Sequence, residues 1–196
     1  MLSRSHRRAP RAAFVHAKLD GVDLRTAILG GADFDHASLT GVNARGVAFL
    51  GVRLADADFS EADLSSADLR RAELTKCCFA EASLHNAKLA GASMRSAVLV
   101  RADLRGADLA GADLRSAQLK GAKAAGARFL LARLNRANLV EADLRKASFD
   151  HARLDHARFD HAGATDADFS DASLVGANLH ALVEERLHAR LHPRRG

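Results

Sequence analysis

From Ala12 to Ala181 the chain keeps a five-residue period without interruption. The clearest run is Ala102-Asp103-Leu104-Arg105-Gly106, Ala107-Asp108-Leu109-Ala110-Gly111, Ala112-Asp113-Leu114-Arg115-Ser116. There are 34 such blocks. The third place, called here the centre, is Leu 21 times, Phe 9, Ala 3 and Met once. The first place, the small site, is Ala 29 times, Val four times (Val22, Val42, Val47, Val52) and Cys once (Cys77).

A period of five excludes an amphipathic helix, because every fifth residue would precess around all sides of a 3.6-residue turn. It also excludes ordinary long strands. Small site and centre lie two apart, so in an extended segment they share a face. Both are apolar, so that face points inward. The residue between them, often Asp, points outward. The fifth place often holds Gly (Gly21, Gly41, Gly106, Gly176 among others), where a tight turn asks for a positive φ. Each block is therefore a very short strand followed by a corner. Four corners of about 90° close a square, which makes 20 residues per coil. Backbone groups then pair with the coils above and below at about 4.8 Å.

The side chains agree with a repeat of 20. Phe14/Phe34, Phe59/Phe79, Phe129/Phe149 and Phe149/Phe169 are pairs 20 apart, and the Ala centres 44, 124 and 164 differ by multiples of 20. A core so rich in Ala, without Trp or Tyr, packs densely only if backbones approach closely and regularly, as in a solenoid. Parallel crossovers predict a right-handed coil.

The Ala-(Asp/Asn)-Leu-x-x pattern over 34 consecutive blocks resembles the pentapeptide-repeat proteins. The resemblance implies an all-β, right-handed quadrilateral β-helix of about 8.5 coils, a rod of roughly 40 Å. Three segments are expected: a basic extension at 1–11, the β-helix at 12–181, and a short C-terminal α-helix with a basic tail at 182–196. Leu182, Val183, Leu187 and Leu191 form one face of that helix, with Glu184 and Glu185 early and Arg186 and Arg190 later, as the helix dipole prefers. A solenoid's last coil needs a cap. Because several members of the family dimerise end to end, Leu174, Leu179, Leu182, Val183, Leu187 and Leu191 are the expected homodimer contacts.

The search for chemistry returns little. Adjacent Cys77 and Cys78 point to opposite sides and cannot easily pair, and free thiols fit a reducing cytosol. No apolar run is long enough to span a membrane, and no apolar segment follows the N-terminal arginines, so no secretory signal is read. The Asp-His pairs at 150–151, 155–156 and 160–161 fall on successive corners, too far apart to share a metal. His16, His36 and Asp56 share one corner column and are the one candidate constellation. No catalytic triad has supporting context. The expectation is a non-enzymatic, cytoplasmic protein with no cofactor and no metal.

Charge is the stronger lead. The chain is +5 overall, but residues 1–11 carry +4 and residues 182–196 carry +2, which leaves the repeat body at −1. The C-terminal half of the body gathers Asp150, Asp155, Asp160, Asp166, Asp168 and Asp171. Several outward places are apolar: Ile28, Leu50, Val98, Val100, Leu130 and Leu131. The candidate partner surface is Leu130, Leu131, Asp150, Asp168 and Asp171.

Three functional readings follow. The resemblance points to binding of DNA gyrase or topoisomerase IV by a DNA-mimicking rod, with protection from quinolones or toxins, although a body of −1 departs from the acidic surface such mimicry asks for. The alternative is a general protein-interaction scaffold. The minor alternative is nucleic-acid or anionic-surface binding through the arginine-rich ends. The body lacks exposed aromatics on which single strands stack.

Overall fold

The structure is a computed structural model that describes residues 12–180. The expected C-terminal helix, with Leu182, Val183, Leu187 and Leu191, and the basic extension at 1–11 lie outside the described residues.

The backbone forms the four-sided coil that the period dictates. Outward residues from Ala13 to Arg158 each bridge the residue 20 positions on, in parallel, with Ile28 the one exception. A regular block makes three ladder bonds and one turn bond. In the block of Leu104, the Asp103 N–H donates to Ala82 O at 2.9 Å, the Leu104 N–H to Lys123 O at 2.7 Å, and the Gly106 N–H to Ala125 O at 3.2 Å. The Ala107 N–H closes the corner on Leu104 O at 2.9 Å. Backbone polar groups are thus paired with no strand longer than a single bridge. The four faces start at residues 12, 17, 22 and 27, and each recurs every 20 residues. The coil is the right-handed quadrilateral β-helix that the sequence predicts.

Small sites and centres fill the interior. From Ala32 to Phe169 every one of them is buried. The four phenylalanine pairs 20 apart all stack, with ring centroids at 4.7 Å for Phe14/Phe34, 5.5 Å for Phe59/Phe79, 4.7 Å for Phe129/Phe149 and 4.8 Å for Phe149/Phe169. Rings on opposite faces also meet edge to face, as with Phe149/Phe159 at 6.5 Å. Such contacts add to area burial by about 0.5–1.5 kcal/mol per pair.

Two features go beyond the sequence expectation. The corner does not require glycine: 21 non-glycine residues hold a positive φ at the fifth place, nearly all of them polar or charged. The turn bond and the ladder hold them there despite the local cost. Thr26 is the one fifth-place residue between His16 and Gly176 that does not take that conformation. It is also the only β-branched residue at a fifth place, and branching at Cβ disfavours a left-handed backbone. The following block opens. Ile28 makes no bridge to Ala48 and is 99% exposed, and the ladder bonds Thr26 to Arg45, Ala48 to Ala27 and Leu29 to Ala48 are not formed.

Candidate functional site

Because the interior is closed by apolar side chains, whatever is specific about this chain lies on its outward places. One shallow groove of about 320 Å³ sits beside the opened block, lined by Ala13, Gly31, Asp33, Gly51 and Arg53. Its charges are mutually engaged, since Arg53 bridges Asp33 and Asp35.

Half of the second-place aspartates are neutralised by an arginine of their own block. Where a block reads Ala-Asp-Leu-Arg, the Arg guanidinium folds back and grips its own Asp with two bonds. For Asp103 these come from Arg105 Nε at 2.8 Å and Nη2 at 2.5 Å. The same fork occurs in Asp23/Arg25, Asp68/Arg70, Asp113/Arg115 and Asp143/Arg145. The corner causes it, because places two and four project on one side with the backbone turning between them. The Arg25 guanidinium beside Asp23 holds its carboxyl down at about 2. Arg70, Arg105 and Arg145 lower Asp68, Asp103 and Asp143 in the same way. At Asp113 partial burial alone would raise the pKa, but hydrogen bonds from Arg115 and Arg95 outweigh it and lower it well below the usual range. In three further blocks Ser takes the place of Arg, and Ser60 and Ser170 donate to Asp58 and Asp168, each from the hydroxyl at 2.6 Å.

Summed coil by coil, the near-neutral body proves to be banded. Residues 52–71 carry −2, residues 112–131 carry +3 and residues 152–171 carry −3. Between Leu114 and Val140 there are six basic side chains and no acid. Adding charges face by face hides this pattern, and the axial sum that finds it needs only the coil length.

Of the candidate partner residues, Leu130 is half-buried and Leu131 is 60% exposed on the corner after the fourth face. Asp150 lies one coil on and Asp171 two coils on at that corner, with Asp168 at the second place of the fourth face in the coil of Asp171. The structure brings Asp150, His151 and Asp171 together, with ligand atoms within 4.8 Å of one another. His151 Nδ1 sits 2.5 Å from Asp150 and its Nε2 3.9 Å from Asp171. This corrects the sequence expectation about constellations. His16 and His36 do stack, centroids 5.0 Å apart, but Asp56 does not join them as a ligand set. The convergent group arises from one Asp-His pair plus the residue 20 positions further on. It is an exposed acid–imidazole cluster whose ring nitrogens already face carboxylates.

Cys77 is buried and Cys78 half-buried, both as free thiols. Burial pushes the Cys77 thiol far up, and its Sγ–H donates to Leu54 O at 2.7 Å. Of the expected dimer contacts, Leu174 packs half-buried on the last described coil and Leu179 is 39% exposed. No helix among the described residues is long and apolar enough to cross a membrane.

A four-sided parallel β-helix with a sealed core and all its variation outside defines a solenoid repeat protein. The family model for pentapeptide repeats (8 copies) matches overlapping segments covering 17–54, 37–76, 49–85, 77–115, 112–150 and 142–180, and the chain belongs to that family. Among solved structures it is similar to a trypsin-treated form of QnrB1, a plasmid-mediated fluoroquinolone resistance protein, at 19% identity over 82% of this chain and 88% of that one, TM-score 0.69. Full-length QnrB1 matches at 18% identity over 86% and 92%, TM-score 0.59. HetL, a pentapeptide repeat protein involved in heterocyst differentiation regulation from the cyanobacterium Nostoc, matches at 31% identity over 86% and 83%, TM-score 0.36. A comparison with curated proteins gave no match.

Proposed function

We propose that this chain is a non-enzymatic scaffold that binds protein partners along the outside of a stiff rod. The observation that carries the reading is the division of labour in the repeat. Every inward place is spent on the core, while outward side chains are held at fixed spacings of about 4.8 Å along each face. In this reading the rods pair end to end as a homodimer through the last coil, where Leu174 and Leu179 stand, and the residues after it.

A second, narrower reading makes DNA gyrase or topoisomerase IV the partner. The fold it shares with QnrB1 supports that reading, as do the acidic bands at 52–71 and 152–171. Electrostatics weighs against literal duplex mimicry. A DNA duplex of the same length, roughly 40 Å, carries about 24 phosphate charges. Here the body carries −1, and half of its second-place aspartates are forked onto their own arginines. The general scaffold is therefore the reading we favour.

Supercoiling and fluoroquinolone-stimulated cleavage by gyrase, run with the purified chain over a series of salt concentrations, test the narrower reading. Inhibition or protection supports it, and the absence of both removes it. Affinity capture from a bacterial lysate with cross-linking tests the broader one. A bound set that changes on outward substitutions supports the scaffold, and a rod that captures nothing refutes it.

A further inference from the structure

We infer that the corner at Leu131 is a docking site for an acidic protein segment that carries an apolar residue between carboxylates. The inference deepens the scaffold reading and rests on it. Among the described residues, Leu131 is the only apolar one of the non-glycine residues with a left-handed backbone, at φ 58°. The same corner column holds glycine at 31, 51, 91 and 111. A leucine there combines an unfavourable backbone with a side chain that is 60% exposed.

Its surroundings select the partner. Lys123, Arg128, Arg133 and Arg136 are exposed, and none of them takes part in an ion pair among the described residues. The reason is local: in these blocks the second place is itself Arg or Lys, so the Asp that elsewhere grips an arginine is missing. Arg128 and Arg133 flank Phe129-Leu130-Leu131-Ala132 in sequence and therefore stand on either side of the corner. In the ladder Arg133 stands between Asp113 and Arg153, so on one side it meets a second cation at strand spacing. Of the acids nearest in the ladder, Asp113 beside Arg133 already holds Arg95 and Arg115, and Asp150 faces His151, while Asp108 beside Arg128 accepts from the Ala110 N–H and forms no ion pair among the described residues. An exposed leucine flanked on the two faces by Arg128 and Arg133, in a coil that carries +3, is complementary to a leucine-like residue set among glutamates or aspartates. A nucleic acid would pair with the arginines but leave Leu131 facing phosphates.

Binding of a short fluorescein-labelled peptide alternating glutamate with leucine, measured by anisotropy at about 0.15 M salt, tests the site. The comparisons are the same peptide with serine for leucine and a labelled DNA duplex. Leu131→Asn keeps a residue at home in the left-handed region and should melt within about 3 °C of wild type. Leu131→Asn and Arg133→Gln should each weaken the glutamate–leucine peptide by about tenfold or more. Arg70→Gln, whose guanidinium is committed to Asp68, should change it less than about twofold. Equal binding by Leu131→Asn, no binding by wild type, or tighter binding of the duplex each overturns the inference. A wild-type rod that captures partners from lysate but ignores the peptide removes the corner site alone, and one that does neither removes both readings.

Discussion

The opened block at Thr26 gives the sharpest test of how this backbone works. If a β-branched residue at the corner is the cause, Thr26→Gly should close it. Gly46, one coil on in the same column, shows the geometry available, at φ 71° with nothing within 4 Å of where a Cβ would stand. Closing the block would form three absent ladder bonds: Thr26 N–H to Arg45, Ala48 N–H to Ala27 and Leu29 N–H to Ala48. Each is worth about 1 kcal/mol net. Glycine's extra freedom in the unfolded chain costs about 0.5–1 kcal/mol. The balance is a stabilisation of about 1–2 kcal/mol, discounted because the coil is near an end and its groups are partly hydrated. That corresponds to a rise in melting temperature of about 2–8 °C. Hydrogen exchange reads the same event residue by residue: the Ala48 amide should pass from fast exchange to protection, while the Asp68 amide, already bonded to Val47 O at 2.9 Å, stays as it is. A variant that melts at or below wild type, with Ala48 still unprotected, would refute the idea that the corner conformation controls the ladder.

Other outcomes follow from the same coil. Ala107 is fully buried at a small site where backbones approach closely, so Ala107→Leu should overpack and destabilise by roughly 1–3 kcal/mol in urea denaturation; a wild-type midpoint would contradict the inward assignment. The forked aspartates have folded pKa values below their unfolded value near 4, so the native state binds fewer protons and the stability they supply is complete above about pH 5. It should fall as pH drops through 4 toward the depressed native values, and Asp113→Asn should flatten that fall; parallel curves for variant and wild type would remove the role assigned to the forks. A thiol reagent should titrate Cys78 in the native protein and reach the buried Cys77 only on unfolding. Rapid modification of both thiols under native conditions would contradict the sealed core.

The fold was legible because the repeat states its geometry redundantly. Period, polarity alternation, stacked Phe columns and shared Ala columns all point to one square coil, and no single residue had to be read correctly. The candidate site was less legible for the converse reason, since it lives in departures from the repeat. Leu131 could be seen as an apolar residue at an outward place, but its left-handed backbone, which makes it costly, needed the corner geometry. The near-neutral charge can be counted from the sequence but its arrangement cannot, because arginine at place four meets aspartate at place two only once the turn brings them onto one side. That pairing changes what neutrality means for this rod. Charges that cancel within a block leave little long-range field to steer a partner, whereas the interval from Leu114 to Val140, lacking acids, cannot cancel itself. An acidic partner would be drawn to the coil at 112–131, at +3, where the repeat's own neutralising device is absent, and repelled by the coil at 152–171, at −3.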